Sequence, residues 1–358
     1  MITQTLEKIQ SIDRSQIGAI QHHLDDLLKP QGSLGRLEDI AMRYVLASGR
    51  HSPKVGKKRV CVFAADHGVV EEGHTFSGKE VTAQVLQGML RGGAGINVLS
   101  RHVDAESEFI DVGVWTDLSA EPDLLHRKIA QGTRNMTQGA AMSAAECEQA
   151  LCVGIERANQ AADDGVVLLA AGEMGIGNTT PSSALLAALL PCPVQDVTGP
   201  GAGLKSDAAL KSKIDIIERS LAANQAALQD PFSALCAVGG LEIAAMCGLY
   251  LGAAARRVPV VVDGFIASAA ALVAVRMCPA AADYMFFSHR SAEPGHDRFM
   301  QELNTTPLLD LQMRLGEGTG AVLAMTIIDA AIKLYGEMAT FSALNINHSS
   351  EDNRCFPL

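Results

Sequence analysis

The hydrophobic positions change their period along the chain, and the changes mark out its elements. Over residues 1–28 the apolar side chains Leu6, Ile9, Ile12, Ile17, Ile20, Leu24 and Leu27 recur mostly three or four residues apart among polar ones, a spacing that predicts helix. KPQGSLGRLEDIA (29–41) then supplies a Pro/Gly break and a fresh helix start. From Lys57 onward, short apolar, β-branched runs read as buried strands at 59–65, 107–112, 166–171, 234–238, 258–262 and 283–287. Ala-rich stretches long enough for helical crossovers separate them. Beyond residue 299 the pattern is helical again, amphipathic over 303–313 and apolar along one face over 321–344.

Strands alternating with helices predict a doubly wound α/β fold with a mostly parallel sheet of roughly six strands. Each run ends in a polar or glycine-rich cluster: Asp66, His67 and Gly68; Asp111 and Gly113; GEMGIGNTT (172–180); Gly239, Gly240 and Glu242; Asp263 and Gly264; Ser288, His289, Arg290 and Ser291. In a parallel sheet these clusters share one edge, so distant segments converge on a single site. Gly and Asp also terminate strands without any function, which is the plainer reading of any one cluster. The two chain ends lie outside the strand region. The expected division is a large α/β unit over 29–300 and a small helical one from 1–28 with 301–358.

Composition narrows the class. With 48% hydrophobic residues but only 4% aromatic, and with 33 glycines, the core suits closely packed helices on a parallel sheet. A formal charge of -11 argues against a nucleic-acid partner. Eight cysteines without Cys-x-x-Cys spacing read as buried thiols of a reducing compartment. The N-terminal stretch shows no apolar signal core, and the apolar run 265–275 is too short for a bilayer, which takes about 20 residues. A soluble, cytoplasmic protein with no membrane partner is expected.

GEMGIGNTTPSSALLAALL (172–190) carries the clearest chemistry. Glycines after a strand free the backbone to turn N–H groups inward, and a helix starting near Thr179 or Thr180, with Pro181 in its first turn, adds positive potential. Together they form a phosphate cradle. It is neither a Walker loop nor G-x-G-x-x-G. An ordinary strand–helix turn explains the glycines but not the carboxylate of Glu173 among them. TGPGAGL (198–204) is a second glycine loop, followed by Lys205, Lys211 and Lys213. Lys205 and Lys211 read as solvated helix charges. Lys213, beside Ile214, Ile216 and Ile217, is either another such charge or a lysine drawn inward to an anion. Glu317 in MRLGEGTGAVLAM (313–325) is either a shielded base or an acid favouring a helix dipole. Asp66, His67 and His74, and His289 with His296, raise a metal site, against which stands the absence of ligand-type spacing. VVVDGF (260–265) has one acid where pyrophosphate-donor transferases carry a pair, which argues against a magnesium–pyrophosphate donor.

KPQGSLGRLE, AADHGVVEEG, SGKEVTAQ, GEMGIGNTTP, KIDII, VGGLEIAAMCG, PVVVDGFIASAAAL, SHRSAEPGH and MRLGEGTGA follow one another from about residue 29 to 325. In that order they resemble the nicotinate-nucleotide–dimethylbenzimidazole phosphoribosyltransferases. The resemblance implies a Rossmann-like large domain, a small helical domain and a homodimer. It implies transfer of phosphoribose from nicotinate mononucleotide to 5,6-dimethylbenzimidazole or a similar base, with no cofactor and no metal. It implies Glu317 as general base with Glu173 close by. Gly175, Gly177, Asn178, Thr179, Gly201, Gly203, Lys213 and Ser291 fall to the donor phosphate and ribose, and Ser77, Val85 and Leu315 to the acceptor base. Two rival readings remain: a metal-using transferase or hydrolase at Asp66 and His67, and a nucleotide-binding protein without turnover.

Overall fold

The computed structural model describes residues 1–73, 75, 77–78, 80–201 and 206–346. Gly203, His74, Lys205 and the tail from 347 lie outside them. The six strands are β1 (Lys58–Ala65), β2 (Ala105–Gly113), β3 (Leu125–His126), β4 (Leu168–Met174), β5 (Val260–Val262) and β6 (Met285–Phe287). They form one sheet in the order β3-β2-β1-β4-β5-β6, every neighbouring pair parallel. The helices, in chain order, are α1 (Ile2–Lys8), α2 (Ile17–Asp26), α3 (Arg36–Ser48), α4 (Glu80–Leu90), α5 (Gly95–Val103), α6 (Ala144–Asp163) and α7 (Thr179–Leu189). Then come α8 (Asp207–Ala223), α9 (Pro231–Val238), α10 (Leu241–Ala255), α11 (Phe265–Met277), α12 (Pro294–Glu302) and α13 (Thr319–Glu337).

Both faces of the sheet are covered, which is why its strands read as unbroken apolar runs. Along β1, Cys61, Phe63 and Ala65 face one core with α6, α10 and α11, while Val60, Val62 and Ala64 face the other with α3, α5 and α13. The α6–α10 contact shows why small residues recur in these two helices. A Cβ on Gly154 would come within 1.9 Å of the Ala245 carbonyl, so only glycine lets these two backbones touch. Helix α13 is long and apolar enough to cross a membrane by length and composition, but here it packs on α3, α5 and β4.

Three expected elements differ. Residues 234–238 form the end of α9 rather than a strand: the Asp230 carboxylate accepts the Ser233 N–H and Pro231 opens the helix, a start signal that outweighs a short apolar run. The sixth strand is instead the two-residue β3. Residues 303–313 are not a helix. Pro307 interrupts the segment, and Leu308 and Leu309 donate their N–H groups to Phe287 and Ser288, so it runs alongside the end of β6. The last helix stops at Glu337 rather than 344, because Thr340 bridges to Leu27 and the Phe341 N–H donates to the Asp26 carbonyl. Residues 1–28 are helical but broken between Lys8 and Asp13, where Asp13 caps a short turn.

Candidate active site

The strand order reverses direction between β1 and β4, and the crevice beyond the carboxyl ends of such strands is where open α/β sheets bind ligands. A cavity of about 440 Å³ opens there. Its wall contains Glu173, Gly175, Gly177, Asn178, Thr179, Gly201, Lys213, Ser291, Ser77, Val85, Leu315 and Glu317, so every expected site residue among the described ones is brought together.

Glu173 is the last residue but one of β4, and its carboxylate accepts from the Asn178 side-chain amide at 2.5 Å and from the Glu317 N–H at 3.3 Å. Burial pushes its carboxyl up to about 8, with Glu242 and Asp263 adding to the rise against the Asn178 bond. Glu317 sits in a loop whose residues Gly316, Glu317 and Gly318 all have φ between 64° and 86°. The left-handed region favours glycine on both flanks, and holding a glutamate there costs about 1–3 kcal/mol. Asp263, at the end of β5, fixes the loop: its carboxylate accepts from Gly318 and Ala321, which also caps α13. The loop lies directly on β4, since a Cβ on Gly172 would fall 2.3 Å from the Glu317 carbonyl oxygen. The Glu317 carboxylate accepts the Ile96 N–H at 3.1 Å from the first turn of α5, and burial raises its pKa.

The opposite wall carries a helix N-terminus and a buried lysine. Gly175 and Gly177 lead into the N-terminus of α7, where Thr179 is the first residue. The Ile176 N–H is held by the Thr82 hydroxyl of α4, the helix that also carries Val85. Lys213 extends from α8 into the interior and donates to the Thr179 hydroxyl at 2.9 Å and the Gly199 carbonyl at 3.0 Å. Burial lowers its ammonium to about 8. Lys211 on the same helix is exposed, as a solvated charge should be. Leu315 lies at the mouth, 59% exposed, beside Gly95.

Asp66 and His67 do not line the cavity. Asp66 accepts the Trp115 N–H, and His67 lies beneath Gly175 with its Nε2 2.8 Å from Glu242, at the end of the run first read as a strand. Among the described residues no three His, Cys, Asp or Glu side chains cluster as metal ligands. His289 does reach the cavity, 3.7 Å from Asp263 and 3.0 Å from the Ser288 hydroxyl, whereas His296 is buried and its Nδ1 accepts the Ser291 N–H. Roles for Asp263, Glu293 and Arg314 were not assigned from sequence, although all three line the cavity. For Asp263 the signal was present, one acid between a β-strand and a helix start.

A glycine-led helix N-terminus with a buried lysine on one wall and two shielded carboxylates on the other, at the switch point of a doubly wound sheet, fit an α/β enzyme of the nucleotide-handling, group-transferring kind. Residues 9–346 match the family model described as phosphoribosyltransferase. The chain is 55% identical over 346 residues to the nicotinate-nucleotide–dimethylbenzimidazole phosphoribosyltransferase of Chlorobium chlorochromatii, covering 97% of this chain and 98% of that one. It is 51% identical to the enzyme of the same name from Prosthecochloris aestuarii, with the same coverage. The crystal structure of nicotinate-nucleotide–dimethylbenzimidazole phosphoribosyltransferase from Thermus thermophilus superposes with a TM-score of 0.89 at 42% identity, covering 94% of this chain and all of that one. The chain belongs to the nicotinate-nucleotide–dimethylbenzimidazole phosphoribosyltransferase family.

Proposed function

We propose that the chain transfers the phosphoribosyl group of nicotinate mononucleotide to 5,6-dimethylbenzimidazole or a related base, giving α-ribazole 5′-phosphate and nicotinate, with Glu317 as general base. The observation that carries this reading is the opposition within one cavity of the Lys213–glycine cradle and the Glu317 carboxylate. The donor phosphate sits at the N-terminus of α7 with Gly175, Gly177, Asn178, Thr179, Gly201 and Lys213, and Ser291 faces the ribose. The acceptor ring lies against Val85 and Leu315 near Ser77.

The chemistry follows from charge. The pyridinium nitrogen of the donor is cationic before its bond to C1′ breaks, so nicotinate leaves as a neutral ring without a metal to absorb charge. The acceptor attacks C1′ through one ring nitrogen and must lose the proton on the other. Glu317 takes that proton; general base catalysis contributes about 10² to 10⁴-fold. Attack opposite the leaving ring inverts the β-nucleotide to the α-product. A carboxyl raised to about 8 is mostly protonated at neutral pH, so Glu173 serves as a hydrogen-bonding partner rather than the base.

With this reading we propose a homodimer, supported by Val98, Leu311 and Leu315 standing more than half exposed. A helical unit formed by 1–28 with 301–358 is supported by the Leu27–Thr340 bridge. A cytoplasmic setting is supported by seven free cysteines among the described residues. The experiment is nicotinate release from nicotinate mononucleotide with and without dimethylbenzimidazole, for the unaltered protein and Glu317→Ala. Acceptor-dependent release that drops about 10²-fold or more in the variant supports both reaction and base. Unchanged release in Glu317→Ala moves the base elsewhere, and no acceptor-dependent release in the unaltered protein removes the reaction.

A further inference from the structure

Glu293 stands where a phosphate site should not hold a carboxylate. It occupies the N-cap position of α12, yet its side chain accepts no hydrogen bond from that helix. Instead it turns into the cavity wall beside the second glycine loop: a Cβ on Gly199 would fall 2.1 Å from its Oε2. That oxygen is buried and has no hydrogen-bond partner among the described residues, while the residue as a whole is 6% exposed. An N-cap carboxylate that leaves its own helix unserved and remains half satisfied elsewhere is held there for another partner.

The groups facing it identify that partner's charge. Against burial, its largest influence, Lys213 on α8 and Arg314, just past the segment that runs alongside β6, are the cations acting on it, and the Gly201 N–H also favours its charged form. Burial works the other way and raises its pKa overall. On α12 itself Asp297 pairs with Arg290, and Arg298 pairs with Asp196 from the turn packed against that helix, so neither compensates Glu293. The site therefore holds an anion of its own beside the lysine that receives the donor phosphate. A phosphate dianion together with a buried carboxylate outweighs the charge of Lys213 and Arg314, which favours one proton held between the two anions.

We propose that Glu293 is the proton-holding partner of the donor phosphate, so that donor binding draws one proton from solvent and holds it between the Glu293 carboxyl and a phosphate oxygen. Before the donor arrives, the carboxylate neutralises Lys213 in place of the phosphate. Once the donor is bound, the same group becomes an O–H donor to it, or accepts the O–H of a singly charged phosphate. No covalent bond changes and no other reactant is needed. The inference rests on the donor-phosphate reading of the Lys213 cradle.

The test is calorimetric titration of nicotinate mononucleotide, and separately of ribose 5-phosphate, into the unaltered protein and Glu293→Gln at pH 8, in buffers of different ionisation enthalpy. Proton uptake per bound donor is expected to be larger in the unaltered protein by about half a proton or more, with affinity falling more steeply as pH rises. Glu293 raises the Lys213 ammonium, so Lys213 takes up at least as much in Glu293→Gln, and a larger uptake in the unaltered protein comes from Glu293. Equal uptake in the two proteins overturns the proposal: it means the carboxylate stays ionised and swings back to cap α12. If Glu293→Gln does not fold, the unaltered protein still decides. Uptake no greater than that of Lys213 alone, or an affinity independent of pH between 7 and 9, overturns the proposal as well. Failure of both ligands to bind the unaltered protein removes the phosphate reading itself, an outcome distinct from binding without the extra proton.

Discussion

Replacing Gly172 with alanine places one methyl group where the backbone of the Glu317 loop already lies. The added Cβ would sit 2.3 Å from the Glu317 carbonyl oxygen and 2.9 Å from the Gly318 nitrogen. Cβ contacts essentially never fall below 3.0 Å, so strand and loop must part by at least about 0.7 Å. Overpacking of this kind costs about 1–3 kcal/mol. With an unfolding entropy of about 2.1 cal/mol/K per residue, that lowers the midpoint by only about 1–4 °C. Catalysis responds more sharply, because displacing a catalytic group by about 1 Å costs about 10²-fold. The assay is acceptor-dependent nicotinate release together with thermal unfolding, and Gly154→Ala is the control. There the clash with Ala245 is at least as severe but lies between α6 and α10, so the folded control should keep its kcat. A Gly172→Ala protein with unchanged kcat/KM would refute the claim that β4 seats the base. So would a Gly154→Ala protein that folds but loses kcat equally.

Lys213→Met, which keeps the stem and removes the charge, should raise the donor KM by about 10- to 100-fold through loss of a charge-assisted hydrogen bond, with a smaller effect on kcat, read by steady-state kinetics. Because the Glu173 carboxyl lies near 8 when folded, above its usual 4.5, the folded state holds an extra proton between those values. Its favourable contribution is therefore present at low pH and lost as pH rises through about 8. Glu173→Gln should flatten the decline of stability over that range by at most about 1.4 kcal/mol per pH unit in denaturant titrations. Asp263→Asn should destabilise by about 1–3 kcal/mol, since an amide cannot accept both the Gly318 and Ala321 N–H groups equally well, and should also lower kcat. Asp230→Ala should cost about 0.5–2 kcal/mol in stability and leave kinetics untouched, as a helix cap remote from the cavity.

The sheet was legible because its strands are buried on both faces, which makes them stand out as unbroken apolar runs ending in polar clusters. That same property misled at 234–238. A short apolar run fits either a strand or a buried helix, and only the Asp230–Pro231 start could separate them. Residues 303–313 failed for a related reason: their spacing is amphipathic, but their backbone bonds go to Phe287 and Ser288, a partner no local pattern announces. At the site, Glu173 and Glu317 could be found because glycines surround each of them. Glu293 could not, since its sequence position is that of a helix cap and only the third dimension turns it away from the helix.

The distribution of buried charge gives the site a direction. Glu173, Asp263 and Glu317 crowd the ends of β4 and β5, with Glu242 behind them, while Lys213 and the first turn of α7 stand across the cavity. Under the proposed donor assignment this field favours one orientation of the nucleotide, with its phosphate against α7 and Lys213 and its pyridinium nitrogen and C1′ toward the acids. Under the proposed reaction, positive charge passes from the leaving ring through C1′ to the acceptor, and every stage lies within reach of the same carboxylates. Their burial is costly in the empty protein: loss of hydration raises the Glu173, Asp263 and Glu317 carboxyls, and neighbouring acids add to the rise at Glu173 and Glu317. The cost falls when a cation arrives and falls most when that cation is at C1′. A binding protein that only sensed a phosphate would gain nothing from this arrangement, and a neutral isostere at Glu317 would leave its affinity for a simple sugar phosphate no weaker. Lost turnover with retained affinity for ribose 5-phosphate in Glu317→Gln is accordingly the result that separates a catalyst from a sensor, and unchanged turnover would count against a field built for the reacting cation.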